Sequence, residues 1–596
     1  MSVEKLIVDH METWTSALQT RSTAGRGSSG KIELYGIKKL RELILELAVR
    51  GKLVPQDPND EPASELLKRI AAEKAELVKQ GKIKKQKPLP EISEEEKPFE
   101  LPEGWEWVRL GNIAEYIQRG KGPKYSENGT VRVVSQKCVQ WSGFKLEQSR
   151  WITDESIPSY TEERFLKNGD VLWNSTGAGG TAGRVNFLET VKERLVVDSH
   201  VTIIRSIKQN GQFICNYIST YGIQQLFDPK HPKTLLSGTT NQAELNTSVV
   251  ISFITPFPPQ KEQERINTKV IELMSLCDQL EQQSLSSLDA HQQLVETLLG
   301  TLTDSQNAEE LAENWARINE HFDTLFTTEA SVDALKQTIL QLAVMGKLVP
   351  QDPNDEPASE LLKRIAQEKA QLVKEGKIKK QKPLPPISDE EKPFELPEGW
   401  EWCLFEDIID IQSGITKGRN LSNRTLVKVP YLRVANVQRG YLDLTEIKQI
   451  EIPIEEKEKY QVVKGDLLIT EGGDWDTVGR TTVWCHDWYI ANQNHVFKGR
   501  NIGQDVDPYW LETYMNSPFS RQYFANASKQ TTNLASINKT QLRGCPVAIP
   551  PSSEAKKIMS KLHIFYKLCE ELKNHIQSAQ QTQLHLADAL TDAAVN

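Results

Sequence analysis

The residues of this chain that could perform chemistry are its cysteines, its histidines and one glycine-rich segment. The seven cysteines are scattered, with no C-x-x-C pair and no histidine at metal-ligand spacing, which indicates reduced thiols rather than a zinc site. The sequence also contains no G-x-x-x-x-G-K-[ST] loop for ATP and no Asn/Asp-Pro-Pro-aromatic motif of an adenine methyltransferase. We therefore expect no catalytic residue, no metal and no cofactor in this chain.

The glycine-rich segment, residues 177–183, loosely imitates a dinucleotide-binding fingerprint. That fingerprint needs a surrounding βαβ unit, which is missing here, so a flexible loop is the favoured interpretation. His200 and His495 occupy equivalent positions, and each begins an apolar run. This pattern favours a half-buried, hydrogen-bonded histidine over a metal ligand or a catalytic base.

A long internal repeat organises the chain around these residues. Residues 40–107 return at 335–402 with 58 of 68 residues identical, and 51–71 matches 346–366 without a difference. Stacked repeat arrays use short and numerous copies, so two distant copies indicate an approximate twofold axis within one chain.

Each copy of the repeat predicts two helices and a connector. In the first copy, an apolar helix over 40–49 ends before Gly51, and an amphipathic helix over 63–80 follows a turn-rich segment. A basic, proline-rich connector, 82–88, then stays extended. The connector could contact DNA phosphate or, equally well, form a solvated linker or a docking strip. An insert around 20–36, absent from the second copy, is predicted to be a flexible loop.

The segments that follow the repeats, 108–257 and 403–549, are related to each other. Both contain short Val, Ile, Leu and Tyr runs broken by Gly, Asn and Pro, which predicts a mixed α/β fold with prominent strands. Matched fragments are Gly169-Asp170-Val171-Leu172 with Gly465-Asp466-Leu467-Leu468, Gly183-Arg184 with Gly479-Arg480, and Thr239-Thr240-Asn241 with Thr531-Thr532-Asn533. The residues predicted to anchor the start of each segment in its core are Trp105, Trp107, Trp400 and Trp402.

A long helical stretch follows a Pro-Pro pair after each segment, over 266–298 in the first case and within 550–596 in the second. Apolar residues at 4-3 spacing continue for more than four heptads, which is typical of a coiled coil. A twofold relation would place the two helices side by side in opposite directions. The predicted seams are Ile266, Val270, Leu273, Cys277, Leu280, Ser284, Ser287, His291, Leu294 and Leu298, and Ile558, Leu562, Phe565, Cys569, Leu572, Ile576, Ala579, Gln583, Leu586 and Leu590.

The net charge of -9 is unevenly distributed. Residues 108–257 carry 17 Lys and Arg against 13 Asp and Glu, and 403–549 carry 17 of each, so the acidity lies in the repeats and the helices. A basic to neutral segment is weak evidence for a nucleic-acid partner. With no long apolar run and no signal peptide in the sequence, we expect a cytoplasmic protein with no membrane partner.

Taken together, the pattern resembles the DNA-specificity subunit of bacterial type I restriction-modification enzymes, in the enteric branch with long repeats at the N-terminus and the centre. The resemblance rests on two variable segments bracketed by repeats and on Pro-Pro-x-x-Glu at 258–262 and 550–554. It also rests on Leu-Ala-Val-x-Gly-Lys-Leu-Val-Pro-Gln and Leu-Pro-x-Gly-Trp in each repeat.

The resemblance implies a mixed α/β fold with two target recognition domains, joined by long antiparallel coiled-coil helices with internal pseudo-twofold symmetry. The expected domains are a helical repeat with its connector over 1–107, recognition domains over 108–257 and 403–549, a central region over 258–402 whose helical repeat occupies 313–402, and a C-terminal coiled-coil helix over 550–596.

The resemblance further implies a non-catalytic subunit that recognises double-stranded DNA with an asymmetric, bipartite site. Each recognition domain would recognise one half, and the helices would set the spacer. The repeats would dock two modification subunits, and two restriction subunits would complete the complex. S-adenosylmethionine, ATP and Mg²⁺ would then belong to these partner subunits.

Base recognition uses Arg or Lys toward guanine and Asn or Gln toward adenine. Residues shared by both domains cannot explain different half-sites, so we expect shared residues to position the protein and unshared residues to specify the sequence. The candidates are Lys121, Lys124, Lys137, Asn174, Thr176, Arg184, Thr240 and Asn241 in the first domain, and Arg419, Arg433, Asn436, Thr470, Arg480, Lys529, Thr532 and Asn533 in the second.

Two other interpretations stay open from the residues alone. One is a protein-protein scaffold whose variable domains bind proteins, which the acidity of the remaining residues favours. The other is a self-contained modifying enzyme, which the missing motifs disfavour.

Overall fold

Two compact units make up the protein. The first contains the described residues of 3–286 and of 580–595, and the second contains those of 287–579. Each unit holds one copy of the repeat, one α/β domain and part of each of two long helices. The predicted mixed α/β fold is thereby confirmed. The computed structural model describes residues 3–21, 31–177, 180–238, 243–422, 424–473, 477–531 and 534–595.

The first helix of the repeat is longer than predicted in both copies. It spans Tyr35–Val49 in the first copy and Glu329–Val344 in the second. Both helices end before a glycine with positive φ, +67° at Gly51 and +70° at Gly346, as predicted. A Cβ at either glycine would lie 2.5 Å from a proline Cγ. The positive φ and this close contact each disfavour any residue with a side chain. The other helices of the repeat regions are Val3–Asp9, Met11–Ser16, Ala63–Lys79, Ala308–Glu320, Phe322–Leu325 and Ala358–Lys374.

The insert around 20–36 is more ordered at its ends than predicted. Gln19–Arg21 pairs antiparallel with Lys31–Glu33, and Gly36 lies inside the following helix. The prediction of a flexible loop was wrong for these ends because a ladder of three residue pairs needs only backbone hydrogen bonds, which leave little trace in the sequence. The residues 22–30 lie outside the described part of the chain.

Domain 1, residues 106–257, is built on two four-stranded sheets. One sheet is antiparallel, with Val185–Phe187, Val171–Asn174, Val201–Ser206 and Ala114–Arg119 in spatial order. The other is mixed, with Leu195–Val197, Arg132–Val134, Arg150–Ile152 and Tyr125–Ser126 in order, its first pair parallel. The ladder between Glu106–Arg109 and Ile254–Phe257 closes the domain. A hairpin of Val139–Gln140 and Gly143–Phe144 and the helices Leu110–Ile113, Gly211–Ile218, Tyr221–Gln225 and Thr247–Ser252 complete it.

Domain 2, residues 401–549, repeats this design. Its antiparallel sheet has Thr481–Val483, Leu467–Thr470, Val496–Asn501 and Ile409–Gln412 in order. Its mixed sheet has Lys448–Pro453, Leu426–Leu432, Ile490–Asn492 and Gln461–Val462, with the middle pair parallel. Glu401–Leu404 and Pro546–Ile549 form the closing ladder. The remaining elements are a small sheet of Gly472–Gly473, Leu534–Ser536 and Lys529–Thr531, and the helices Phe405–Ile408, Lys457–Tyr460, Pro508–Met515, Pro518–Ala527 and Lys539–Arg543.

Both domains share the same ion pair between an arginine and a buried aspartate. Arg205 donates two hydrogen bonds to Asp170, at 2.7 and 2.8 Å, and Arg500 donates two to Asp466, at 2.8 and 2.7 Å. The Gly-Asp fragments matched in the sequence are thus the acidic half of a common ion pair. The predicted tryptophan anchors are confirmed, with ring centroids 5.9 Å apart for Trp105 and Phe213, 6.1 Å for Trp107 and Tyr217, 5.5 Å for Trp400 and Trp510, and 6.4 Å for Trp402 and Tyr514.

Two long helices, Gln260–Asp304 (long helix 1) and Ser552–Val595 (long helix 2), each contribute to both units. In the first unit, Arg41 of the repeat helix pairs with Asp278 at 2.6 Å. Trp105, which packs against the end of that helix, donates to Glu262 at 2.9 Å. The repeat helix therefore runs antiparallel to long helix 1.

Against long helix 2, the same repeat helix runs in parallel. Tyr35 donates to Asp588 at 2.7 Å, and Lys52 Nζ donates to the Val595 carbonyl at 2.7 Å. The long helices are consequently antiparallel, as predicted, although a third helix packs beside them. In the second unit the two long helices exchange places. The repeat helix runs antiparallel to long helix 2, through Lys336 with Glu570 and Asp333 with Lys573. Lys347, just after that helix, donates to the Thr303 carbonyl of long helix 1.

The seam of each long helix shifts by one residue along its length. Long helix 1 buries the predicted positions from Ile266 to Leu280, but farther on it buries Val295 and leaves Leu294 51% exposed. Long helix 2 likewise buries Ala587 and leaves Leu586 42% exposed. The predicted seams were wrong at these positions because a straight α-helix drifts by about 60° over three heptads.

Lys498 is a buried cation in the core of domain 2. The residue is 1% exposed, and its Nζ donates to the carbonyls of Lys459, at 3.1 Å, and Gln461, at 2.8 Å. Burial lowers the pKa of Lys498 from 10.5 to about 8. At a pH between the folded-state pKa and the ordinary value of the unfolded chain, the unfolded chain binds more protons at this site than the folded chain does. The stability of the domain therefore rises with pH in this range.

We expect Lys498→Met to stabilise domain 2 more near neutral pH than near pH 10.5. The difference should be on the order of 3 kcal/mol, because the cost of burying this amine is complete below the folded-state pKa and disappears as the pH rises to the unfolded-state pKa. Thermal unfolding of both proteins across this pH range measures it, with the exposed Lys464→Met as the control. A stability difference that stays constant with pH would contradict the prediction.

Candidate nucleic-acid interface

Several loops of domain 1 meet at one end of its antiparallel sheet. The loop after Val171–Asn174 is tied to the hairpin of Val139–Gln140 and Gly143–Phe144 by Arg184, whose guanidinium donates to the Gln140 side-chain oxygen. Arg184 Nε also donates to the Gly180 carbonyl within the loop, at 3.0 Å. The loop and the hairpin therefore form one surface.

Two more segments join the same surface. Thr176 shares a hydrogen bond of 2.6 Å with His200 Nδ1, and the backbone of Thr176 pairs with Glu244. The Glu244 carboxylate in turn accepts from Arg119 at the end of its strand. His200 is thus a hydrogen-bonded histidine of the loop cluster, as the sequence predicted, but the prediction that it is half-buried was wrong, because it lies exposed among surface loops.

Domain 2 places equivalent residues in an equivalent cluster. Arg480 donates to Gln438 at 2.7 Å, and His495 Nδ1 lies 2.5 Å from Glu471 Oε2. Gly472 pairs with Ser536, as Thr176 pairs with Glu244 in domain 1. The shared arginines hold a glutamine within their own domain, which supports a positioning role for both.

Three predicted base-contacting residues are buried instead. Asn174 is fully buried, and its amide donates to the carbonyls of Gln136 and Val139 at 3.2 Å each. Asn436 donates to the carbonyls of Asp443 and Glu446, at 2.8 and 3.0 Å. Thr470 is fully buried and accepts from the Arg480 amide at 3.0 Å. Because these groups hold adjoining loops in place, we leave them out of the proposed base-contacting set.

The predicted cations differ in how they are held. Lys121 donates to the Ser159 carbonyl at 2.8 Å and lies over the Tyr160 ring, whereas Arg419 and Arg433 form ion pairs of 2.8 Å with Glu456 and Glu446. Those ion pairs would have to open or rearrange for a base contact. Lys124, Lys137 and Lys529 are exposed, and Thr240, Asn241, Thr532 and Asn533 lie outside the described residues.

The hairpin glutamines were missed at the sequence level. Gln140 and Gln438 each follow a valine and precede a two-residue turn, so Val-Gln-x-x repeats at an offset of 298. This short match became meaningful only when the arginine contacts aligned the two hairpins. Arg119 was also missed, because its partner Glu244 lies 125 residues away.

The basic connectors pack against their own domains. Lys74 donates to Gln86 of the connector at 3.0 Å and to the Gly111 carbonyl of domain 1. In the second copy Arg543 donates to the Lys382 carbonyl at 2.7 Å and to Glu406 at 2.6 Å. The connector backbone is thus docked, while most of its lysines stay exposed.

Within the described ranges, no group of three or more His, Cys, Asp or Glu side chains is arranged to hold a metal ion. The helices in that part of the chain include none with the length and apolar character needed to cross a membrane.

Comparison with known proteins places these features in a family. The family model described as "Type I restriction modification DNA specificity domain" matches residues 102–290 and 397–579. The chain is 52% identical to the type I restriction enzyme EcoAI specificity subunit and 50% identical to the EcoEI specificity subunit, both from Escherichia coli, over 100% of each chain. A crystal structure of the HsdS subunit from Thermoanaerobacter tengcongensis matches with a TM-score of 0.39 and 16% identity, over 84% of this chain and 98% of that chain. This chain therefore belongs to the family of type I restriction-modification specificity subunits.

Proposed function

We propose that this chain is a non-catalytic subunit that recognises a bipartite site in double-stranded DNA. Domain 1 recognises one half-site and domain 2 the other. The observation that carries the proposal is the pair of loop clusters, which share a positioning arginine but differ in the residues around it. A common skeleton with different loops is what two different half-sites require.

The proposed base-contacting set consists of the unshared candidates Lys121, Lys124, Lys137, Arg419, Arg433 and Lys529, whereas the shared Thr240, Asn241, Thr532 and Asn533 are proposed to contact phosphate. Phosphate contacts provide salt-dependent affinity, and side chains that reach base edges provide specificity. Arg184, Arg480 and Thr176 position the loops. The residues proposed to contact DNA directly are Lys121, Lys124, Lys137, Thr240, Asn241, Arg419, Arg433, Lys529, Thr532 and Asn533.

The repeats are proposed to dock two modification subunits, with two restriction subunits completing the assembly. Support comes from the identity of 51–71 and 346–366, which extends to solvent-exposed residues such as Lys68 and Arg69. Packing alone does not constrain exposed residues, whereas a partner that docks twice would. S-adenosylmethionine, ATP and Mg²⁺ belong to those partners, and the complex acts in the bacterial cytoplasm.

The test is to map N6-methyladenine in host DNA with and without this gene. We expect one asymmetric, bipartite sequence with a fixed spacer to lose its methylation in the deletion strain and to regain it on complementation. Unchanged methylation would overturn the proposal and favour a protein-protein scaffold. Methyl transfer by this chain alone would instead revive the self-contained enzyme.

A further inference from the structure

Each domain carries an exposed aromatic residue in or next to the turn of its hairpin. In domain 1, Gln140 pairs with Gly143 around a two-residue turn that begins with Trp141, which is 52% exposed. In domain 2, the Gln438 amide donates to the Tyr441 carbonyl at 3.0 Å across an equivalent turn, and Tyr441 is 61% exposed. A single exposed aromatic residue is ordinary, but its recurrence on matched hairpins of diverged domains indicates a shared use.

Polar contacts fix both hairpins against the body of their domain. The Gln140 side chain accepts from Arg184, and its carbonyl accepts from Asn186 at 3.0 Å. In domain 2, Arg480 holds Gln438. Each aromatic ring is therefore presented on a braced, narrow tip rather than on a free loop, which lowers the entropy lost when it binds a partner.

Resting on the function proposed above, we propose that Trp141 and Tyr441 insert into the duplex and stack on a base of their respective half-sites. A hairpin tip is narrow enough to enter a groove, and an unstacked base is stabilised by stacking on an aromatic side chain. Enzymes that modify a base must extrude it from the stack, which leaves neighbouring bases that an aromatic wedge can support. Because Trp141 is the first residue of its turn and Tyr441 follows its turn, each ring contacts a different position of its half-site.

The experiment uses the complex of this chain with its modification subunits and a duplex containing the mapped site. 2-Aminopurine, which fluoresces when unstacked, is placed at successive positions in either half-site. We expect Trp141→Ala to lower affinity by roughly 10- to 100-fold and to abolish the fluorescence change in one half-site only. Tyr441→Ala should do the same in the other half-site, and Trp141→Phe should retain much of the effect.

A matched control is Tyr509→Ala, which removes a ring that is 44% exposed on the helix beside the closing ladder of domain 2. This variant should bind and fluoresce as the wild type does. If both hairpin variants behaved as the wild type does, the proposed insertion of the rings would be wrong, while the proposed function would stand. Loss of affinity with an unchanged fluorescence signal would place the rings in the groove and overturn stacking. Failure of the wild-type complex to prefer the mapped site would overturn the proposed function itself.

Discussion

Replacing residues 108–257 with the recognition domain of a relative of different specificity is expected to change one half of the methylated sequence. The other half and the spacer should stay the same. The graft is feasible because the closing ladder brings the two ends of the domain together, and Trp107 of that ladder lies outside the exchanged segment. Each mismatched base pair costs about 1–3 kcal/mol, and the exchange mismatches several base pairs of one half-site. The affinity of the complex for the original site should therefore fall on the order of 1,000-fold. Mapping of methylated adenines measures the change.

The chain offers its own control for this exchange. A variant that carries 108–257 in both positions, in place of 403–549 as well, should methylate a palindrome of the first half-site, because the two units are built alike. A donor domain must have aromatic residues at the positions of Phe213 and Tyr217, because these rings pack against Trp105 and Trp107. Changes in both half-sites, or in neither, would refute the modular assignment of the domains.

Inserting one heptad into each long helix is expected to change the spacer that the complex accepts. The insertions belong after Ser286 and after Ala579, where the compact units divide, so that the packing within each unit is preserved. Seven residues add about 10.5 Å, or roughly three base pairs, while rotating the helix by only about 20°. Three base pairs rotate B-DNA by about 100°, so one domain loses its groove contacts. Affinity for the native site should fall by at least about 100-fold.

Selection from duplexes with randomised spacer lengths measures the new preference. Three heptads in each helix add roughly 31.5 Å, close to one turn of DNA, and should restore tight binding to a site lengthened by nine or ten base pairs. As a control, substituting exposed residues at the same two positions should leave the spacer unchanged. If the inserted variants still select the native spacer, the long helices do not set it.

Features with strong local or repeated signals were predicted from the sequence. Gly51 and Gly346 marked helix ends because a left-handed backbone leaves few alternatives to glycine. The kinship of the two domains could be detected because Asp170 and Asp466 are buried carboxylates of the same ion pair, and a buried charge tolerates few replacements.

The candidate site was harder to predict because one residue type serves both specificity and structure. Asn174 and Asn436 have the amide that recognises adenine, but they donate to backbone carbonyls of loops that only the folded domain brings near them. The seam failed at Leu294 for a different reason, since a fixed heptad spacing does not follow the drift of a straight helix. The sequence therefore indicated the kind of interface. Which candidate residues are free to contact DNA depends on tertiary contacts, which the sequence does not show.

Long helix 2 has a consequence for the timing of folding. The first unit includes residues 580–595, whose Asp588 accepts from Tyr35 near the other end of the chain. At about 5–20 residues per second, the ribosome takes roughly 15–60 s to add the residues between 286 and 595. During that interval the nascent first unit lacks the helix that covers one side of Tyr35–Val49. This apolar face is then open to chaperones or to a neighbouring nascent chain, so the first unit is closed only by residues synthesised after the second unit.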